Sequence, residues 1–196
     1  MDTADNTVAL VERALAQMES VIAGVRPDQA ELPTPCPGWN VRRLVAHVIG
    51  QGLRNFSAAA QGASTDWQAE PDPLSDDWVG EFRARAKPLL DIWHSADLDR
   101  LVPVPTTNTE APLRACADQQ IAELAMHTWD LARATGQSPA WDPAVAEHAL
   151  TWSKAVLRPE FRGPGKAFAP EVPVPDDAPI YDRLAGWFGR DPAFTN

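Results

Sequence analysis

The stretch NVRRLVAHVIGQG, residues 40–52, decides how this chain is read. Asn40 suits a helix N-cap, because its side-chain oxygen can accept one of the free backbone N–H groups of the first turn. Val41, Leu44, Val45 and Val48 then recur at three- and four-residue spacing, and Gly52 and Phe56 extend the same stripe. The spacing predicts a helix over 41–60 with one apolar face. A single histidine, His47, lies in its middle. On a helical wheel it falls near Arg43 and Arg54, off the centre of the stripe.

The segments on either side carry the same periodicity. Residues 6–25 place Val8, Leu15, Met18 and Ile22 at helical spacing, and Gly24 and Pro27 end that helix. Three prolines within 33–37 forbid helix between the two, and Gly38 supplies a turn. After a polar connection over 61–74, a third helix is predicted over 75–95, capped by Ser75 and carrying Trp78, Phe82, Leu89 and Trp93. Pro88 falls inside it, where a kink or break is expected. Residues 97–112 read as irregular chain or short strand. A fourth helix over 113–135 carries Leu113, Ala117, Ile121, Leu124, Thr128 and Leu131, and Gly136 ends it. Further helices are predicted over 143–157 and 180–189, separated by a proline- and glycine-rich stretch. Long amphipathic helices without a convincing sheet mean an all-α, up-down four-helix bundle. Residues 1–140 are expected to form it, and residues 141–196 to form a helical extension packed on it.

Composition narrows the function. The 196 residues are 44% hydrophobic and carry a formal net charge of -10. Such a chain repels phosphate backbones and anionic headgroups, so neither nucleic acid nor a membrane is the expected partner. The N-terminus MDTADNTVALVERALAQME has no basic or apolar leader region, and no apolar run approaches a bilayer span. Two cysteines, Cys36 and Cys116, form no metal or disulfide framework, which fits a reducing compartment. The expected location is the cytoplasm.

One segment of the fourth helix carries candidate chemistry. In ELAMHTWD, Glu123 and His127 stand one turn apart on one face, and Asp130 follows three residues later. Carboxylate and imidazole beside a buried stripe need a satisfying partner. A cation gripped by both, with His47 as a third donor from another helix, would be one. A Glu-xxx-His pair is also an ordinary helix-surface hydrogen bond, so spacing alone leaves both readings open. Asp130 either orients a ligand histidine or pairs with Arg133 or Arg42. His94 and His148 read as helix-surface residues, and both cysteines as small buried hydrophobes.

TPCPGWNVRRLVAHVIG (34–50), together with ELAMHTWDLARATG (123–136), resembles the metal-binding domain of the mycothiol-dependent maleylpyruvate isomerase family, within the DinB-like superfamily of four-helix metalloproteins. The ending VPVPDDAPIYDRLAGWFGRDP (172–192) is similar to the tail of small actinobacterial members. The resemblance implies a DinB-like bundle and a metal triad of His47, Glu123 and His127. It implies zinc, with nickel or iron suiting the same donors, and mycothiol as cosubstrate. The partners would be a small-molecule thiol and an electrophile, and the chain would act alone or as a homodimer. The family's isomerase carries a second domain with an active-site arginine that has no clear match here; Arg183 and Arg190 are the nearest basic candidates. The activity implied is thiol transfer or isomerisation. A non-catalytic metal-binding domain, a hydrolase using Asp130 as base, and a metal-free bundle with an apolar ligand are the alternatives.

Overall fold

The computed structural model describes residues 3–104, 109–164, 166 and 168–196. Helix α1 spans Thr3–Ala23. Helix α2, Val41–Ala46, runs through a π-helical segment, His47–Gly52, into α3, Leu53–Ala60. Helix α4 covers Trp78–Ser95, and a short antiparallel hairpin, β1 (Leu101–Val104) with β2 (Thr109–Pro112), leads into α5, Arg114–Thr135. Helices α6, Pro143–Val156, and α7, Ile180–Trp187, complete the chain. The expected all-α bundle is the observed one, and the ambiguous 97–112 segment holds the two short strands, its residues 105–108 lying outside the described residues. The caps follow the sequence in most places. Asn40 accepts the Arg43 N–H, and Gly136 ends α5 in the left-handed region at φ 68°. Helix α4 departs from expectation. Asp77, not Ser75, caps it by accepting the Gly80 N–H, and it runs unbroken through Pro88.

Helix α5 is the centre of the molecule. Leu113, Ala117, Ile121, Leu124 and Leu131 are buried as the periodicity requires, but so are Ala122, Ala125, Met126, Trp129, Ala132 and Ala134. A helix buried on most of its faces belongs inside, with layers packed around it. Helix α1 lies along one side of it, α6 and α7 along another, and α2 and α3 along a third. Trp93 of α4 donates its indole N–H to Gln120 Oε1 at 2.7 Å, and Trp129 of α5 donates to Asp182 Oδ1 of α7 at 2.9 Å. Both large rings are thus buried with their single polar atom satisfied.

The connection between α3 and α4 sets the helix directions. The start of α4 lies at the start of α2, where Arg42 stands over the Trp78 ring. The end of α3 lies just past the end of α4, where Arg100 reaches Ala60 O. The two segments therefore run the same way, which departs from the expected up-down alternation at this step, and residues 61–77 must travel back along α3 and α2. They do so in register. Asp66 binds Asn55, the carbonyls of Trp67 and Ala69 accept from Gln51, and the Asp72 N–H donates to Gly50 O. Gly50 permits this approach, since a Cβ there would lie 2.6 Å from Asp72 O. Gly52, in the same π-helical segment, would meet only His47 O at 3.4 Å.

Gly50→Ala should consequently force the returning segment away, costing about 2 kcal/mol and lowering Tm by roughly 4–8 °C. Gly52→Ala should stay within about 0.5 kcal/mol of the parent. Thermal melts of the two variants beside the parent check this contrast.

Candidate metal centre

His47 sits where α2 passes into the π-helical segment. Its ring packs between Trp39, delivered by the proline turn at 4.7 Å between centroids, and Trp67 of the returning segment at 6.5 Å. The turn is fixed locally. Thr34 Oγ1 donates to Trp39 O and accepts the Cys36 N–H, and the Thr34 N–H also donates to Trp39 O. His127 stacks near the same Trp39 at 6.0 Å and meets the His47 ring edge-on at 5.0 Å. Glu123 lies one turn before His127 on α5. Its Oε2 is 3.3 Å from His127 Nε2 and 3.8 Å from His47 Nε2. The donor atoms of all three residues lie within 4.8 Å of one another.

The far nitrogen of each ring is held by a specific acceptor. Gln51 donates its amide N–H bonds to Trp67 O at 3.0 Å and Ala69 O at 2.7 Å, which turns its Oε1 toward His47 Nδ1 at 2.6 Å. Asp130 Oδ2 accepts from His127 Nδ1 at 3.0 Å. With both Nδ1 atoms donating, both Nε2 atoms face Glu123, as N–H donors where a ring is protonated and as lone pairs in the neutral tautomer. That tautomer is the one a metal-binding imidazole requires. Asp130 is fully buried, and Arg190 satisfies its remaining capacity through Nε at 3.3 Å and Nη2 at 3.2 Å. The choice left open by the sequence falls to His127. Arg133 pairs with Asp182 and Arg42 with Glu31. Of the two basic candidates from the tail, Arg190 reaches the site, whereas Arg183 lines a separate small cleft with Trp187. His94 is exposed, and His148 bonds Asp118 at 2.8 Å, away from the cluster.

Gln51 is the residue that reading the sequence missed. It stands four residues after His47, a helical neighbour, but only the returning chain shows which way its amide points.

The electrostatics of the cluster are strongly coupled. Burial opposes charge on Glu123, yet hydrogen bonds from His127 and His47, and their charges, hold its carboxyl far below the usual range. Burial likewise opposes a charged His127. The hydrogen bonds to Asp130 and Glu123 outweigh it and push the imidazole up from 6.5 to about 9. Arg190 and His127 hold Asp130 ionised against its burial. Two cavities reach the cluster. His47 lines one of about 770 Å³ with Trp39, Trp67 and Arg43. Glu123 and His127 line another of about 540 Å³.

These features define a helical bundle with a two-histidine, one-carboxylate cluster open to two cavities. Residues 11–132 match the family described as the mycothiol maleylpyruvate isomerase N-terminal domain, and the chain belongs to that family. Two relatives from Mycobacterium tuberculosis, "Uncharacterized protein MT0763" of strain CDC 1551 / Oshkosh and "Uncharacterized protein Rv0738" of strain ATCC 25618 / H37Rv, are each 34% identical over 180 residues, covering 91% of this chain and 94% of theirs. Among solved structures, mycothiol-dependent maleylpyruvate isomerase aligns with 82% of this chain and 71% of its own at 14% identity and a TM-score of 0.49. A mutant form of that isomerase aligns at 13% identity with the same TM-score. No helix among the described residues is long and apolar enough to cross a membrane.

Protonated His127 stabilises the metal-free fold. Its folded pKa lies above the unfolded one, so the contribution is complete below pH 6.5 and is lost as pH rises through about 9. In chelator-treated protein, NMR should show His127 titrating near 9. A divalent cation should abolish that titration, because binding displaces the Nε2 proton.

Proposed function

We propose that this chain is a metal-dependent catalyst that transfers or adds a low-molecular-weight thiol of the mycothiol type to a small electrophile, with isomerisation as one outcome. His47, Glu123 and His127 hold the cation, zinc in the first instance, with nickel or iron accepted by the same donors. The observation that carries this reading is the convergence of two Nε2 atoms and a carboxylate within 4.8 Å, each ring oriented by its own acceptor. The cation supplies a Lewis acid that favours the thiolate form of a thiol near neutral pH.

The chain's own residues do the rest. Gln51 and Asp130 keep both imidazoles in the donor tautomer. Trp39 and Trp67 flank the His47 ring. The protein's thiols do not compete as nucleophiles. Burial pushes Cys36 up to about 11 and raises Cys116 as well, so both stay protonated at neutral pH. The nucleophile is therefore brought in. Two cavities reaching the donor set support catalysis over a closed structural site. The full engagement of Asp130 by His127 and Arg190 disfavours the hydrolase alternative, which needs that carboxylate as a base. The acidic chain suits small substrates in the cytoplasm rather than nucleic acid, acting as a monomer or homodimer.

Elemental analysis of untagged protein should find about one equivalent of a divalent metal. Glu123→Ala and His47→Ala should lose it, and Gln51→Leu should weaken metal affinity by about 10–100-fold. Mycothiol conjugation should fall in step with metal content across the series. A metal-free parent protein would overturn the reading.

A further inference from the structure

Resting on that reading of the centre, we propose that the cavity beside Glu123 and His127 receives an uncharged, apolar electrophile, aromatic or alkyl, and rejects dicarboxylates. At about 540 Å³ the space is that of a small organic ligand. Its wall is built from Met126, Trp152, Val156, Leu157, Phe168 and Phe188. The mouth is apolar too. Among the described residues, Leu101, Val156 and Phe161 are the large hydrophobics left exposed. Two of them, Val156 and Phe161, line this cavity. Exposed apolar side chains gathered at one opening mark a binding site rather than random surface.

The polar groups of the cavity do not suit an anion. Among the described lining residues, besides His127, which Asp130 and Glu123 engage, the cation is Arg190. Its charge is matched by Asp130 through two hydrogen bonds, and its Nη1 donates to Phe188 O at 3.0 Å. The Ser153 hydroxyl donates to Leu150 O at 3.2 Å. Glu123 faces the same space. A dicarboxylate could place at most one carboxylate on a cation at the centre; the other would be desolvated among apolar walls with no unpaired counter-ion, which disfavours it. The other cavity carries Arg42, Arg43, Glu70 and Asp72, and fits a hydrophilic thiol instead.

The test is a fluorescence titration of the full chain with N-phenyl-1-naphthylamine, a neutral apolar probe, before and after chelator treatment and with maleate as competitor. The expected result is saturable binding that chelator leaves unchanged and maleate does not displace. Ala115→Trp, which fills the cavity, and Phe161→Ala, at its exposed mouth, should each weaken binding, the first by about tenfold or more. Circular dichroism establishes that each variant is folded. No saturable binding by folded parent protein overturns the inference, as does displacement by maleate or indifference to both substitutions. Binding that appears only when a dimer is diluted also overturns it, by giving the mouth to a second copy. Because the titration needs neither metal nor thiol, loss of the metal reading would leave its outcome standing, and failure of the titration would leave the metal reading intact.

Discussion

Asp130 is a carboxylate with no exposure at all, at the middle of a helix that is itself the core. Burying such a charge is tolerable only if it is paired and hydrogen-bonded. The two groups that satisfy it set the rest of the site. His127, three residues back on α5, gives it Nδ1 and thereby turns Nε2 toward Glu123. Arg190 comes from beyond α7 and draws the end of the chain across the bundle. One buried charge thus fixes a tautomer, a side-chain orientation and the packing of a distant segment. The Trp129 and Arg133 bonds to Asp182, and the Tyr181 bond to Gln17, fasten the same segment at other points.

The second half of the centre depends on backbone rather than charge. His47 opens a π-helical segment, whose wider turn changes the facing of residues beyond it. The segment 61–77 returns along that surface, and the lack of a side chain at Gly50 lets its backbone close in. The returning carbonyls orient Gln51, and Gln51 orients His47. Each imidazole is therefore aimed by a different mechanism, one through a buried ion pair and one through a loop held at backbone distance. The donors converge because α2 and α5 are neighbours in the bundle at that depth.

Much of this was legible beforehand. The stripe of Val41, Leu44, Val45, Val48 and Phe56, and that of Leu113, Ala117, Ile121, Leu124 and Leu131, are buried as written. The caps at Asn40 and Gly136 hold because capping is a local matter of one side chain or one φ angle. The start of α4 was misplaced by three residues, since Ser75 and Asp77 are both good caps and only packing chooses. The wheel position that set His47 beside Arg54 assumed an even 3.6 residues per turn, which the π-helical segment breaks. In the structure Arg54 instead bonds Asp72 of the returning segment.

By itself the sequence determined the helices, their apolar faces, the acidic surface and the identity of the candidate donors. Those follow from periodicity, composition and residue chemistry, all of which are local. Tertiary structure alone decided that α2 and α3 run parallel to α4, that Gln51 faces His47, and that Asp130 takes Arg190 rather than Arg133 or Arg42. It also decided that one side of the centre is apolar. These are contacts between residues far apart in the chain, and no period in the sequence encodes which buried partner a charge or an amide will find.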